Sequence, residues 1–497
     1  MPRYRPSKHL IHLRRDGEVL VLNAAEILPL YFRRGGERVL SALSSIGDGA
    51  SGPELERRVG DKQVADMLVA HRVVVPADDP EDYSFPSCGP VPQAVATSGP
   101  LVAQAASGPL AATCVSLYLL LTQGCNLRCV YCYNGEETYQ RQCAPPMDER
   151  TATRAVERLA GTVAPQGTLE IVFFGGEPLL NWPLAKKVIT YCEESLKPAR
   201  PYLAVRYHLT SNLTLLPKDL VEWATRYRMS FLCDVDGPPD LHDRTRPFAG
   251  ARSSHRATAR TIRALLDHGL SVALRATVTN VNVGRMPDIA AHHRELGGSS
   301  CAFVPVNAVN SDEDVLTEKL LPDPQRYVRG FKEVVEAGVW PLEQLFPLNE
   351  FLSRIRPGSR NYWACGAPLG NTPVVDVTGD VYACIYLVGI SRYKLGNVFS
   401  EAPYPDPEVS QRIRELIHID NHPQCRTCQL RYLCGGGCPV GRLLIASNPR
   451  ASQAVRDYTQ QMACLGNQCM IELALWRLAE GAWNGLPDGL RSRLCTV

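Results

Sequence analysis

The sequence lacks the long uncharged runs and the charge imbalance that mark several classes of protein. No apolar stretch approaches the eighteen or more uncharged residues that a membrane helix needs, and the basic start MPRYRPSKHL leads into no apolar signal core. The 53 Lys and Arg residues against 51 Asp and Glu leave a net charge of +2, which gives no general attraction to nucleic acid. These absences predict a cytoplasmic globular protein of about two to four domains, with no membrane and no nucleic-acid partner.

Cysteine, by contrast, is abundant. The 497 residues include 18 cysteines. Without a secretion signal, a disulfide scaffold is not expected, because the cytoplasm keeps thiols reduced. The cysteine content therefore predicts metal or redox chemistry.

The N-terminal residues 1–78 are expected to form a winged-helix-like unit. Two strands, His9–Arg14 and Val19–Asn23, flank an Asp16-Gly17 turn, which is the usual hairpin signal. Apolar periodicity predicts helices over Gly36–Ser44 and Pro53–His71, and Val73–Val75 is expected to complete the wing. Residues 79–112 are rich in Pro, Gly, Ala and Ser and are predicted to be a linker.

Residues 113–310 alternate between strand and helix patterns. The predicted strands are Ser116–Leu121, Leu169–Phe174, Ala204–Leu209, Ser230–Val235, Ser271–Val278 and Cys301–Pro305. Six such β/α units predict an α/β fold, an incomplete (β/α)6 TIM-type barrel whose chemistry lies at the carboxyl ends of the strands. Bridging helices are predicted over 311–360, a cysteine-dense domain over 361–470, and a C-terminal helix and tail over 471–497.

Three cysteines follow the first barrel strand, in the segment Cys125-Asn-Leu-Arg-Cys129-Val-Tyr-Cys132. Three thiolates on one short loop can hold three irons of a [4Fe–4S] cluster and leave the fourth iron free for another ligand. The alternative for this loop is a partial zinc site, which would need a fourth ligand from elsewhere.

These residues match the CxxxCxxC motif, and the segment from 113 to about 310 resembles the radical S-adenosylmethionine (radical SAM) superfamily. The resemblance implies that Cys125, Cys129 and Cys132 hold the SAM-binding cluster. It also implies cofactor contacts in the order that the family has them: Tyr131 at adenine, the segment Gly175, Gly176, Glu177 and Pro178 at the amino group of SAM, Ser211 and Asn212 at the ribose, and Arg275 at the carboxylate. Asp236, in a segment that also resembles the family, is either a ligand contact or a turn-former.

The C-terminal cysteines resemble the seven-cysteine SPASM extension, which carries auxiliary [4Fe–4S] clusters. The resemblance assigns Cys425, Cys428, Cys434 and Cys464 to one cluster and Cys365, Cys384 and Cys438 to the other. Zinc is the alternative, because CxxC pairs are common zinc ligands. The extension usually has one more cysteine before the position of Cys365, which Asn361–Ala364 does not supply; Cys301 and Cys469 are possible substitutes. Other thiols, such as Cys143, Cys192 and Cys233, are expected to be inert.

The resemblance implies an oxidoreductase that uses a 5′-deoxyadenosyl radical. The N-terminal unit resembles the leader-recognition domain of ribosomal peptide maturases, which would add the leader of a precursor peptide as a strand. We therefore expect a maturase that cross-links a precursor peptide, with a thioether favoured and a flavodoxin or ferredoxin as reductant. The alternatives are a carbon–carbon or aromatic cross-link, a sulfatase-maturase-like oxidation of Cys or Ser, and a zinc scaffold without activity.

Overall fold

The computed structural model describes most of the chain. The described residues are 2–24, 30–32, 34–47, 49–81, 112–133, 145–250, 252–308, 318–355, 361–367, 370–445, 448–479 and 495–496. The predicted linker, residues 79–112, and Cys143 lie largely or wholly outside these ranges. No helix among the described residues has the length and apolar character needed to cross a membrane.

The N-terminal unit contains two small sheets and three helices. Its strands are β1 (Arg3–Pro6), β2 (Leu10–Arg15), β3 (Glu18–Asn23), β4 (Leu30–Phe32), β5 (Ala50–Ser51) and β6 (Val74–Pro76). Its helices are Gly36–Ser45, Gly52–Val59 and Lys62–Ala70. The predicted hairpin is present, with Asp16 and Gly17 both at positive φ between β2 and β3.

The expectation of one helix over Pro53–His71 was wrong, because two local signals end it midway. Gly60 adopts φ 84° and closes the helix Gly52–Val59 as its C-terminal cap. The Asp61 side chain then accepts a hydrogen bond from the Val64 amide and starts the next helix. The final strand β6 pairs with β1, which the sequence pattern did not predict.

The central feature of the fold is one ten-stranded sheet. Six strands occupy the predicted positions: β7 (Ala112–Thr122), β8 (Val163–Gly175), β9 (Ala204–Ser211), β10 (Ser230–Asp234), β11 (Val272–Val278) and β12 (Ser300–Pro305). They run parallel in chain order, and each neighbouring pair is hydrogen-bonded. The helices between and around them include Glu149–Ala160, Trp182–Tyr191, Leu220–Arg226, Pro239–Thr245, His255–Leu266 and Met286–Glu295. This arrangement is the predicted TIM-type α/β fold.

The sheet continues beyond the predicted barrel on both sides. Strand β13 (Leu345–Phe346) pairs parallel with β12, between the helices Pro324–Glu336 and Leu348–Arg354. On the other flank β14 (Val374–Val375) pairs parallel with β7, and β15 (Asp380–Tyr382) and β16 (Lys394–Asn397) follow antiparallel. The cysteine-dense segment is therefore joined to the barrel by backbone hydrogen bonds.

The C-terminal helix spans Gln453–Ala479, and its predicted start at residue 471 was wrong. Shorter helices, Pro407–Ile417, Pro423–Arg426 and Arg431–Cys434, precede it. It packs into one apolar core with the helices Pro324–Glu336 and Leu348–Arg354 and with β2 and β3 of the N-terminal unit. A last strand, β17 (Cys495–Thr496), lies parallel to β4.

Candidate active site

The three-cysteine loop leaves the carboxyl end of β7 and is fastened to the segment after β10. The Arg128 amide donates to the Pro247 carbonyl at 2.8 Å, and the Val130 amide donates to the Thr245 carbonyl at 2.9 Å. Cys125, Cys129 and Cys132 are all half-buried. The loop therefore has a fixed position at the carboxyl edge of the sheet, which is where this fold places its chemistry.

The surroundings of these thiols favour the neutral form unless a positive charge is present. Burial raises the pKa of Cys125 to about 11 and raises that of Cys129 further above its ordinary value. Bound iron would supply that charge and hold the thiolates. Among the described residues, no three His, Cys, Asp or Glu side chains converge as ligands of one metal ion would. A [4Fe–4S] cluster binds its thiolates through separate irons, so its ligands need not converge in that way.

The glycine pair at the end of β8 packs against the start of this loop. The Gly176 amide donates to the Thr122 carbonyl, and the Glu177 amide donates to the Gly124 carbonyl, both at 2.9 Å. A Cβ on Gly175 would lie 2.3 Å from the Thr122 carbonyl oxygen, and one on Gly176 would lie 2.3 Å from that of Gly124. The close approach that these glycines permit is thus to the backbone of the cysteine loop.

Glu177 joins two other predicted cofactor residues, Ser211 and Asn212, in one buried hydrogen-bond network. Its carboxylate accepts from the Ser211 hydroxyl at 2.8 Å and from the amides of Asn212 and Leu179 at 2.9 Å. Burial raises the pKa of Glu177, although these three donors oppose the change. The Asn212 side chain extends the network to Asn126 in the cysteine loop at 2.9 Å. Glu177 therefore fixes the strand ends on which Ser211 and Asn212 lie.

Tyr131 is buried, and its hydroxyl is used within the protein. It donates to Asp236 Oδ2 at 2.6 Å and accepts from Arg246 Nη1 at 2.7 Å. Asp236 also accepts from the Thr245 hydroxyl at 2.7 Å and from the Thr277 amide at 3.0 Å. The sequence left two roles open for Asp236; in the structure it connects the cysteine loop to β10 and β11.

Arg275 is paired with an acidic residue that the sequence analysis did not select. Asp234 and Arg275 are register partners on β10 and β11, and the guanidinium donates through Nε at 2.5 Å and Nη2 at 3.1 Å. Against the effect of burial, Arg275 and then Arg246 hold the pKa of Asp234 at about 2. Arg246 Nη2 lies 3.5 Å from Asp234. The available signal was the placement of opposite charges on the same face of adjacent predicted strands.

The seven C-terminal cysteines fall into two groups in the structure. Burial and then Cys438 raise the pKa of Cys384 to about 12, with Cys365 also contributing, so these three thiols are neighbours. Burial and then Cys434, Cys425 and Cys428 raise the pKa of Cys464, which defines the second group. These electrostatic contacts are compatible with the two sets that the resemblance implied, and the assignment of each set to an iron–sulfur cluster stays a prediction.

Cys301 and Cys469, the possible substitutes for the missing ligand, have no such electrostatic contact with the group of Cys365, Cys384 and Cys438. Cys301 is buried in β12, with its sulfur 3.2 Å from His293 Nδ1, and burial alone raises its pKa. Cys469 is buried on the C-terminal helix, where Lys332 and Glu472 are its charged neighbours. Among the cysteines described with side chains, the first group thus remains three thiols. Cys192 and Cys233 are buried in the core, as expected.

Residues 119–293 match the Radical SAM superfamily. These residues form a radical SAM domain. The prediction of a radical SAM enzyme is confirmed, and the family implies a [4Fe–4S] cluster and SAM as cofactors.

Two curated relatives and one solved structure extend the comparison. The chain is 24% identical to the antilisterial bacteriocin subtilosin biosynthesis protein AlbA of Bacillus subtilis, over 64% of this chain and 65% of AlbA. It is 22% identical to a serine-type anaerobic sulfatase-maturating enzyme of Bacteroides thetaiotaomicron, over 64% of this chain and 80% of that enzyme. The crystal structure of Streptococcus suis SuiB bound to precursor peptide SuiA has a TM-score of 0.51 at 15% identity and covers 91% of this chain and all of SuiB. This likeness supports the fold.

Proposed function

We propose that this enzyme is a peptide maturase that installs an oxidative cross-link, with a thioether favoured, in a ribosomally synthesised precursor peptide. The observation that carries the proposal is that the chain has both a radical SAM segment, residues 119–293, and a second set of three thiols in mutual electrostatic contact, Cys365, Cys384 and Cys438. The names of AlbA, a bacteriocin biosynthesis protein, and of SuiB, bound to a precursor peptide, support a peptide as the substrate.

Each residue of the candidate site has a proposed task. Cys125, Cys129 and Cys132 would hold the SAM-binding cluster, and when bound, this cluster and SAM supply a 5′-deoxyadenosyl radical that removes a hydrogen atom from carbon. Ser211 and Asn212 would bind the ribose, at positions that Glu177 fixes. Tyr131 would present its ring to adenine while Asp236 and Arg246 hold its hydroxyl.

Arg275 would bind the carboxylate of SAM with the part of its guanidinium that Asp234 does not use. The pair with Asp234 takes Nε and Nη2, and the side chain is 30% exposed. The rigid fork of arginine suits two carboxylates at once. Asp234 would thereby orient Arg275 toward the cofactor, which makes it a positioning residue.

The auxiliary groups would bind two [4Fe–4S] clusters. With three protein thiols, the cluster at Cys365, Cys384 and Cys438 would keep one iron open for a thiolate of the substrate. A substrate sulfur held there would be placed for bond formation to carbon, which is why we favour a thioether over a carbon–carbon or aromatic cross-link.

The N-terminal unit would bind the leader of the precursor by strand addition. In the sheet that contains β2, β3 and β4, the strand β17 lies along β4, and β2 is the other edge. Its side chains His12 and Arg14 are exposed, and an edge strand offers backbone groups to a peptide. We also propose domain boundaries near residues 78, 112, 310 and 360. We further propose that the reductant is a flavodoxin or a ferredoxin and that the enzyme acts in the cytoplasm.

The test is anaerobic reconstitution with iron, sulfide, SAM and the precursor peptide. The expected product is lighter than the peptide by two hydrogens, and its cysteine resists thiol alkylation. The same mass loss with an alkylatable cysteine would indicate a carbon–carbon bond, and SAM turnover with unchanged peptide mass would contradict the proposal. Cys384→Ser should abolish the product, whereas Cys114→Ser, at the start of β7 and away from both groups, should not.

The metal content separates this proposal from its non-enzymatic alternative. Three clusters predict about twelve irons and about twelve sulfides per chain. Zinc without sulfide would overturn the proposal. The resemblance to a sulfatase-maturating enzyme keeps oxidation of a single Ser or Cys as the second candidate, which fragmentation spectra of the product would reveal.

A further inference from the structure

Two tyrosines connect the three-cysteine loop to the first auxiliary group, which consists of Cys365, Cys384 and Cys438. Tyr133 directly follows Cys132, and Tyr386 lies two residues after Cys384. Their ring centroids are 4.8 Å apart with an interplanar angle of 53°, which is direct aromatic contact. Each ring is thus one short covalent path away from a proposed cluster ligand, and the two paths meet at the ring contact.

The contact lies in an apolar part of the structure. Tyr133 and Ile385 pack against a small core of Leu120, Phe174 and Val374. The contact between the two rings is therefore packed against side chains from the carboxyl ends of β7 and β8 and from β14.

The proposed reaction creates a need for such a connection. Removal of a hydrogen atom from a substrate carbon leaves a carbon radical, and its bonding to a substrate thiol releases one proton and one electron. Cleavage of SAM consumes one electron. If the released electron returns to the SAM-binding cluster, the reaction consumes no net electron. SAM, a C–H group and an S–H group are then converted into methionine, 5′-deoxyadenosine, a C–S bond and one proton.

We propose that the Tyr133–Tyr386 contact is the route by which an electron passes between the first auxiliary group and the three-cysteine loop. This inference rests on the proposed function, because it requires a cluster at each site. The electron tunnels through the π systems of the two rings, so neither hydroxyl gives up a proton. With clusters bound, the one held by Cys365, Cys384 and Cys438 would be oxidised by one electron, and the one held by Cys125, Cys129 and Cys132 would be reduced by one.

The experiment compares Tyr386→Leu with Tyr386→Phe in reconstituted full-length enzyme. A fraction of the clusters is photoreduced without substrate, and freeze-quench electron paramagnetic resonance follows the transfer of the unpaired electron between the two clusters. Tyr386→Leu removes the ring and should slow this transfer by an order of magnitude, whereas Tyr386→Phe keeps the ring and should match the unchanged enzyme. Tyr133→Leu should reproduce the effect of Tyr386→Leu from the other side of the contact.

The remaining outcomes would overturn either the proposed electron route or the proposed function, and the experiment distinguishes the two. Unchanged transfer in both leucine variants, with full iron and sulfide content, would overturn the proposed route. Slow transfer in Tyr386→Phe would also overturn it, since the hydroxyl would then be required. If the unchanged enzyme lacks the auxiliary clusters, the proposed function fails at that point, before the tyrosine variants are compared.

Discussion

At the candidate site, the negative charge of Asp234 balances the positive charges of Arg275 and Arg246. Asp234 is 16% exposed and contacts both Arg275 and Arg246. Without it, two guanidinium groups would share a poorly solvated site with no carboxylate between them. Removal of one partner from a buried ion pair costs far more than removal of one from a surface pair.

Asp234→Asn should therefore destabilise the enzyme by about 2–3 kcal/mol, more than loss of an exposed pair and less than loss of a fully buried one, measured as a shift of the urea midpoint of the cluster-free protein. Because the pKa of Asp234 is about 2, the carboxylate is ionised at any neutral pH, and the loss should be the same at pH 6 and pH 8. The control is Asp240→Asn, whose 62% exposed carboxylate pairs with Arg285. We expect its effect to stay below about 1 kcal/mol. Equal losses in the two variants would show that Asp234 has no special role.

At the level of elements, the ends of β7 and β8 are packed too closely for any side chain between them. This closeness gives the two glycines of the Gly-Gly-Glu-Pro segment a structural task independent of any cofactor. The sequence predicted both strands and the glycine motif, but it could not reveal which backbone the glycines approach. That depends on how the strand ends meet in space.

Gly176→Ala should lower the melting temperature of the cluster-free protein and its capacity to bind iron. The added methyl group would lie 2.3 Å from the Gly124 carbonyl and 2.5 Å from that of Gln123, both of them backbone atoms that cannot move aside alone. Gly124→Ala is the matched control in the same loop, because its Cβ would meet only the Thr122 hydroxyl at 3.5 Å. A melting temperature that falls equally in both variants would contradict this account.

At the level of the whole molecule, the N-terminal unit shares a core with the C-terminal helix. Ile11, Leu20 and Leu22 are buried in the same apolar cluster as that helix. Trp476 packs edge-on to Tyr31 at 6.0 Å, and the Arg15 guanidinium lies 4.3 Å from the centre of the Trp476 ring. Arg5, at the start of the N-terminal unit, forms an ion pair with Glu81. Deletion of the unit would therefore expose core residues of the C-terminal helix.

Trp476→Ala should release the N-terminal unit from the rest of the chain. Truncation of a buried tryptophan costs about 3–5 kcal/mol, and here part of that loss falls on the shared core. The measurement uses a protease site inserted between Glu81 and Ala112: after cleavage, the unchanged protein should elute as one complex and the variant as two fragments. Trp223→Ala, which removes a tryptophan from the barrel helices, should leave the cleaved fragments together. Separation in the control, or none in Trp476→Ala, would contradict the prediction.

The sequence by itself determined the local features of this protein. Repeated strand and helix patterns predicted the six barrel strands, and cysteine spacing predicted the three-cysteine loop, because these signals are carried by residues near one another in the chain. The division of the C-terminal cysteines into two groups came from the resemblance to the SPASM extension. Only the tertiary structure decided the contacts between distant segments: the Asp234–Arg275 pair, the use of the Tyr131 hydroxyl by Asp236, the extra strands β13 and β14, and the shared core around Trp476. Such contacts depend on strand register and helix packing, which follow from the burial of the whole apolar surface and leave no periodic pattern in the sequence.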